Sequence, residues 1–330
     1  MRSAPALRVV SGLAAPQRAE PDSLRWCFEA MASRCELVLA GVPAAKAKAA
    51  AQRATAEVRR IEAKFSRYQA DSVISRINQA AGTGKAVAID AETQGLLDYA
   101  DRLHDLSGGR FDLSSGPLRR AWDFRKGIVP GEARLAAVLP LIGWQRIERG
   151  AGWLRLPQAG MELDLGGIGK EYAADRAAAV LAEAGVQHGF VNLGGDLRLL
   201  GPAPDGRPWR LAIQHPRLVD EVCAHLHLSQ GALATSGDYE RYFITPEGRR
   251  CCHILDPRSG QPVAHWQSIS VIAPLCSAAG ALATIAMLIG PGATDFLRAQ
   301  GVAFLAVDPE GRIEQQDLPS PSLTPHPHSP

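Results

Sequence analysis

Four glycine-centred stretches hold most of the residues in this chain that could do chemistry. In residues 164–175, DLGGIGKEYAAD, a predicted strand ends in a Gly-rich turn that opens a helix with Lys170 in its first turn. Free backbone N–H groups and the positive helix end would stabilise an anion such as phosphate there. A tight strand-to-helix connection, in which glycine is needed for positive φ, explains the same residues equally well. The stretch is not a P-loop, because Glu171 stands where that motif has Ser or Thr. The other stretches are SGGRFDLSSGPL (107–118), VNLGGDL (191–197) and ATSGDYERYF (234–243).

His253 is the residue best suited to proton transfer. It lies in CCHILDPRSGQPV, at the end of a short predicted strand and just before a predicted turn at Asp256 and Pro257. Histidine exchanges a proton near neutral pH, which suits a general base. A single histidine is more often structural, so the number and order of the neighbouring stretches must decide its role.

The elements that would position these residues change in type along the chain. Helices are predicted over residues 43–68, from about residues 71–72, and over 91–108, so the first third is mainly helical. From about residue 140, short apolar runs such as WLRLP, MELDLG, HGFVNLGG, WRLAIQ and VAFLAVD predict strands, with one helix over 170–185 among them. This mixture predicts an α+β (mixed α/β) fold with a largely antiparallel sheet.

Composition predicts a globular protein with one compact domain over residues 23–316. The ends, 1–22 and the Pro/Ser/His-rich tail 317–330, are predicted to lack structure. A formal net charge of +2 does not indicate a nucleic-acid partner, and no apolar run reaches the ~20 residues of a membrane span. The six cysteines form no CxxC pair and are expected to be buried free thiols. Together with an interrupted N-terminal apolar region, they favour a cytoplasmic location.

Five segments, in the same order over residues 28 to about 310, resemble the FAD:protein FMN transferase family, also called the ApbE family. The segments are FSRYQADSVISRINQAAG, SGGRFDLSSGPLRRAWDF, LDLGGIGKEYAADRAAAVLAEAGVQHGFVNLGGDLRLLG, LATSGDYERYF and HILDPRSGQPV. The resemblance implies a single flavin-transferase-type domain. It also implies cleavage of the FAD pyrophosphate, with FMN joined through its phosphate to a threonine of an acceptor flavoprotein and AMP released. Magnesium would be the metal.

The resemblance also implies roles for individual residues. His253 would be the general base. Each of the FAD-contacting positions has a structural alternative, either core packing or turn capping. The positions that match FAD contacts are Met31, Tyr68, Arg110, Phe111, Asp112, Asp164, Lys170 and Leu255.

The implied metal site departs from the family pattern. The family usually carries an A-D-A-x-x-T helix, whose Asp and Thr hold magnesium together with a backbone oxygen of the Gly-rich turn. Here the Thr is Thr284, the turn oxygen is assigned to Gly167, and Gly280 replaces the Asp, with Ser277 as a neutral oxygen one turn earlier. Two hypotheses follow: a working transferase with another carboxylate or the FAD phosphates completing the site, or an FAD-binding protein with weak catalysis. An FAD pyrophosphatase lies between them.

Overall fold

The computed structural model describes residues 23–218, 220–319 and 322–323. Its helices are α1 (Ala44–Phe65), α2 (Val73–Gln79), α3 (Ala91–Leu106), α4 (Leu118–Ala121), α5 (Glu132–Val138), α6 (Gly169–Glu183), α7 (Cys276–Ile289) and α8 (Ala293–Ala299). Its strands are β1 (Ser23–Ala30), β2 (Ser33–Ala40), β3 (Val87–Ala88), β4 (Glu148–Gly150), β5 (Trp153–Arg155), β6 (His188–Leu193), β7 (Asp196–Gly201), β8 (Trp209–Gln214), β9 (Val222–Leu228), β10 (Ala232–Gly237), β11 (Tyr242–Ile244), β12 (Arg250–Cys252), β13 (Ser268–Ala273), β14 (Ala303–Val307), β15 (Ile313–Gln316) and β16 (Ser322–Leu323).

An eight-stranded sheet in the order β1-β2-β6-β7-β10-β13-β14-β15 forms the centre of the fold. Every neighbouring pair in it is antiparallel, which confirms the predicted α+β class with a largely antiparallel sheet. Because successive side chains of a strand point to opposite faces, Leu37 and Leu39 of β2 join the core under α1 and α6. Val38 and Ala40 pack on the other face with β8 and β9. The central sheet is therefore buried on both sides.

Helix α7 packs against β10 and β13, inside the molecule. The stretch Cys276–Ala299 is long and apolar enough to cross a membrane by length and composition, but half of its most apolar window is buried. Most of the apolar side chains of α7 are buried against the sheet and its neighbouring helices. This is how the core helix of a folded domain behaves, because its apolar surface is already covered by protein.

Several sequence predictions need correction in detail. The helical first third begins with a hairpin, because β1 and β2 pair along their full length. The MELD run is not a strand but holds a single bridge at Glu162, since the Asn78 side chain bonds both the N–H and the C=O of Leu163. Cys27 is exposed, while the other five cysteines are buried free thiols.

The chain ends were predicted to lack structure. Residues 1–22 and 324–330 lie outside the described part. Within the predicted tail, β16 pairs with β9, so this tail contributes a short strand.

Gly189 gives a test of the β2–β6 register. Its φ is +135°, and a Cβ at this position would lie 1.9 Å from the carbonyl oxygen of Val38. Gly189→Ala should lower the free energy of unfolding by about 3 kcal/mol, because backbone cannot yield to the added methyl. Gly84, with φ +77° and open space around it, is the matched control; Gly84→Ala should cost about 1 kcal/mol. Equal losses in urea unfolding of the two variants would contradict this register.

Candidate functional site

One cavity of about 380 Å³ brings together residues from across the chain. Its wall takes residues from the β1–β2 turn, the end of α1, the Gly-rich turn before α6, the end of β10, the segments just before β11 and just after β12, and α7. Every site residue predicted from the sequence lines this cavity: Met31, Tyr68, Arg110, Phe111, Asp112, Asp164, Gly167, Lys170, His253, Leu255 and Thr284. The structure thus places these residues around one space, and their individual roles stay predictions.

Met31 reaches the cavity from a conformation that L-residues rarely adopt. Met31 and Ala32 form the two-residue turn between β1 and β2, with φ of 53° and 54°. Such hairpin turns normally use Asn and Gly, because both central residues need positive φ. The backbone N–H of Met31 donates to Glu62 Oε1 at 2.6 Å, which ties the turn to α1. The strained turn places a flexible thioether against the cavity.

Two arginines that the sequence analysis did not single out share the carboxylate of Asp164. Arg67 Nη1 and Arg119 Nε lie 3.1 Å and 2.9 Å from Asp164 Oδ2, and the Gly166 N–H donates to Oδ1 at 2.9 Å. Burial alone would raise the pKa of Asp164, but the two guanidinium groups outweigh it and hold the pKa below its ordinary value. Asp164 therefore both caps the Gly-rich turn and organises a cationic wall.

Aromatic and apolar side chains form another part of the cavity wall. Tyr68 is 79% exposed, and the Arg67 guanidinium lies 5.8 Å from its ring centroid. Phe111 is buried beside Gly167, where an added Cβ would lie 3.1 Å from the ring. Leu255 bridges to Pro262 and packs partly against a neighbouring apolar cluster. Together these groups can hold a planar apolar ring with one edge towards water.

Asp112 and Arg110 have local structural partners. Asp112 Oδ1 accepts from the N–H and the hydroxyl of Ser114 at 2.7 and 2.6 Å, which is the turn-capping alternative considered for this residue. Arg110 Nη1 donates to the carbonyl oxygen of Ser107 at 3.3 Å. Asp112 thus shapes the loop that carries Phe111.

Lys170 and two acidic residues form the deepest charged part of the cavity. Lys170 Nζ lies 2.7 Å from Asp196 Oδ2, and burial opposes the charge on this lysine while Asp196 and Glu171 raise its pKa. Glu171, next along α6, is only 7% exposed, and its Oε2 has no hydrogen-bond partner among the described residues. Burial, reinforced by the charge of Asp196, raises the pKa of Glu171. Glu171 forms no ion pair within the described part of the chain.

His253 follows β12 and is held by its backbone N–H, which donates to the Arg241 carbonyl oxygen at 2.9 Å. Its Nδ1 is buried and has no hydrogen-bond partner within the described part of the chain. Burial and the cations Arg241, Arg119 and Lys170 lower the pKa of His253 to about 3. The imidazole is therefore neutral at physiological pH, with a lone pair available to accept a proton.

Thr284 projects from α7 and exchanges a 2.7 Å hydrogen bond with Ser236 at the end of β10. Gly280, one turn earlier, faces Glu171 of α6: a Cβ at this glycine would lie 2.5 Å from Glu171 Cγ. Ser277, considered as a neutral oxygen for a metal, is turned away instead. Its hydroxyl donates to Asp175 Oδ2 at 2.8 Å, the carboxylate that caps the start of α7, and Ser277 does not line the cavity.

The sequence analysis left several cavity residues without a role. These are Arg67, Arg119, Glu171, Asp196, Ser236, Glu240 and Arg241. Asp196 follows the paired glycines of the VNLGGDL stretch and Ser236 lies in ATSGDYERYF, so the glycine signals did point to both. Arg67 lies within the FSRYQADSVISRINQAAG segment, next to Tyr68, but nothing local shows that it pairs with a carboxylate 97 residues away. Across residues 23–218, 220–319 and 322–323, no three His, Cys, Asp or Glu side chains form a metal-binding group.

Comparison with known proteins gives a consistent result. The ApbE family model matches residues 31–306 of this chain. An FAD:protein FMN transferase from Vibrio cholerae is 34% identical over 233 residues, covering 68% of this chain and 69% of that protein. One from Klebsiella pneumoniae is 30% identical over 282 residues, covering 82% and 80%. The crystal structure of the ApbE protein from Thermotoga maritima superposes with a TM-score of 0.83 at 30% identity, covering 90% of this chain and 97% of that one.

The Asp164 cluster predicts a charge-dependent stability. Asp164→Asn should lower the free energy of unfolding at pH 7 by about 3 kcal/mol, because Arg67 and Arg119 lose their shared anion in a half-buried wall. Since the folded pKa lies below the unfolded value, this stabilisation is complete above pH about 4 and is lost as pH falls through the folded pKa. Asp205→Asn, at an exposed ion pair with Arg207, is the control and should not change unfolding measurably. A loss that persists undiminished well below pH 3 would contradict the charge argument.

Proposed function

The chain belongs to the ApbE family, and on that premise we propose that it transfers FMN from FAD to a hydroxyl group of an acceptor protein, releasing AMP. The observation that carries this proposal is the neutral His253, whose Nδ1 has no partner among the described residues and lies in a cavity that also holds buried cations. A base and a polyanion-binding wall in one space are what phosphoryl transfer to a hydroxyl requires.

Different parts of the cavity wall match different parts of FAD in their chemistry. Tyr68, Met31 and Leu255 supply the apolar surface suited to an isoalloxazine ring. Lys170, Arg119 and the positive N-terminal end of α6, which no side chain of the described residues caps, suit the pyrophosphate. This arrangement would hold the flavin near the cavity mouth and the phosphates deeper.

The transfer step then needs one proton acceptor and one leaving group. The acceptor oxygen attacks the phosphorus on the flavin side of the pyrophosphate, and its proton passes to the imidazole of His253. The bond from that phosphorus to the bridging oxygen breaks, and the bridging oxygen leaves as part of the AMP phosphate. One P–O bond forms, one P–O bond breaks, and no redox change occurs in the flavin.

We infer a magnesium requirement from the same geometry. Thr284 Oγ1 and the carbonyl oxygen of Gly167 are oxygen donors of the kind Mg²⁺ accepts, and both residues line the cavity. When bound, Mg²⁺ would offset the negative charge of the pyrophosphate. Removing divalent ions with a chelator should therefore abolish flavin transfer, and adding Mg²⁺ should restore it. Undiminished transfer in the chelated protein, measured by in-gel flavin fluorescence, would exclude this requirement.

The acceptor is proposed to be a flavoprotein with a threonine as the modified residue. A cytoplasmic location is likewise a proposal, based on the cysteine content. Incubation of the full chain with FAD, Mg²⁺ and acceptor domains bearing threonine, serine or alanine at the target position tests the residue choice. Fluorescent flavin should remain on the threonine domain after denaturation and be absent from the alanine domain.

His253→Ala tests the general base. We expect the rate of flavin transfer to fall by roughly 10²- to 10⁴-fold, because the acceptor hydroxyl loses its proton acceptor. FAD affinity, measured by quenching of flavin fluorescence, should stay within a factor of a few. His225→Ala on β9, outside the cavity, is the control and should transfer at the wild-type rate.

The same assay separates the alternative functions. Free FMN and AMP without labelled acceptor would identify an FAD pyrophosphatase. FAD binding with neither product would identify a flavin-binding protein without catalysis. Wild-type transfer by His253→Ala would remove His253 from the mechanism while leaving the function intact.

A further inference from the structure

We propose that Glu171 of α6 supplies the metal-binding carboxylate of this cavity, and that Gly280 on α7 is the space that admits it. This inference rests on the magnesium site of the proposed function and assigns a residue to it. The carboxylate reaches the site from α6, so the glycine at position 280 does not leave the site without a charged oxygen.

The first support is the packing of Glu171 on Gly280. A Cβ at position 280 would lie 2.5 Å from Glu171 Cγ, 2.8 Å from Oε1 and 3.0 Å from Cδ. Side chains do not approach that closely, so any residue larger than glycine would displace the carboxylate. A side chain at position 280 of α7 would fill the space that the Glu171 carboxylate of α6 now occupies.

The second support is the register between the two helices. Asp175, four residues after Glu171, accepts hydrogen bonds from the backbone N–H groups of Cys276 and Ser277 at 2.8 and 2.9 Å. Residues four apart share a helix face, so Glu171 continues this row towards Gly280, one turn into α7. The next position along the α7 row is Thr284, which lines the cavity, and Gly167 lines it from the turn before α6.

The third support is that the buried carboxylate of Glu171 has no paired cation among the described residues. Asp196 is paired with Lys170 at 2.7 Å, and Asp164 is paired with two arginines. Glu171 is 7% exposed, lines the cavity, and its Oε2 lacks a hydrogen-bond partner among the described residues. A buried carboxylate oxygen is costly without a partner, and a divalent cation is the partner that a cavity of this kind can admit.

One carboxylate, one hydroxyl and one carbonyl oxygen suit magnesium. Mg²⁺ is typically bound through one or two carboxylates, with water and substrate phosphates completing its octahedron. Glu171, Thr284 and Gly167 would provide the protein share of such a set. A site of this composition contains one acidic side chain, in keeping with the finding that no three His, Cys, Asp or Glu side chains of the described residues form a metal-binding group.

The test is direct metal binding by the full chain. Mn²⁺, a spectroscopic substitute for Mg²⁺, is titrated with and without saturating FAD, and free Mn²⁺ is followed by electron paramagnetic resonance. Glu171→Gln keeps the shape of the side chain but removes its charge. It should weaken Mn²⁺ affinity by roughly 10- to 100-fold, the loss typical when a side chain that supports a bound metal is mutated. Glu36→Gln is the matched control, because Glu36 is also buried but lies outside the cavity with Arg25 as its partner. It should leave Mn²⁺ affinity unchanged.

A double variant controls for loss of Mn²⁺ binding through misfolding. It also tests whether the side chains at positions 171 and 280 share one space. Glu171→Gly combined with Gly280→Asp moves the carboxylate from α6 to α7 and should regain most of the Mn²⁺ affinity that Glu171→Gly alone loses. Wild-type Mn²⁺ affinity in Glu171→Gln, or no measurable Mn²⁺ binding by the wild-type chain with FAD, would overturn the proposal.

Flavin transfer is scored separately in the same preparations. A wild-type chain that binds Mn²⁺ through Glu171 yet labels no acceptor would sink the proposed function and leave this metal assignment standing. If the wild-type chain labels its acceptor while Glu171→Gln keeps full Mn²⁺ affinity, the proposed function stands and the metal assignment is wrong.

Discussion

The carboxylate of Asp175 fixes the position of α7, and the cavity depends on that position. It accepts the first two free N–H groups of α7 and the hydroxyl of Ser277, so a side chain of α6 caps the neighbouring helix. Further along α7, the bond between Thr284 and Ser236 ties the helix to β10. These polar contacts on a largely apolar helix hold its cavity-facing hydroxyl, that of Thr284, in place. Oxygens carried by helices and strands hold their positions better than oxygens carried by loops.

Charge in the cavity is arranged pair by pair. Asp164 is matched by arginines and Asp196 by Lys170, so these buried ions satisfy one another at short range. Burial, together with these cations, lowers the pKa of His253 and keeps it uncharged, which suits a base rather than an acid. Glu171 stands outside this pairing.

The sequence predicted the regular elements well, because their signals are local. The apolar stripe of α3 and the terminal Gly185 after α6 mark helices that the structure contains. The MELD run was wrongly predicted as a strand. The side chain of Asn78 bonds the N–H and C=O of Leu163, and hydrophobic periodicity gives no sign of such a partner. All the sequence-predicted site residues lie around one cavity, since their motifs occur in order along the chain. The contact between Glu171 and Gly280 joins positions 109 residues apart, and only the packing of α6 on α7 reveals it.

The turn at Met31 and Ala32 sets a limit on how stable this protein can become. Both residues hold positive φ without being glycine or asparagine, so the hairpin carries a strain of order 1 kcal/mol or more at each position. Asn-Gly would relieve that strain and strengthen the β1–β2 hairpin. It would also remove the thioether from the cavity wall. Selection for thermal stability alone would therefore favour replacing this turn and would erode the cavity from its edge, while selection for activity would retain the strain.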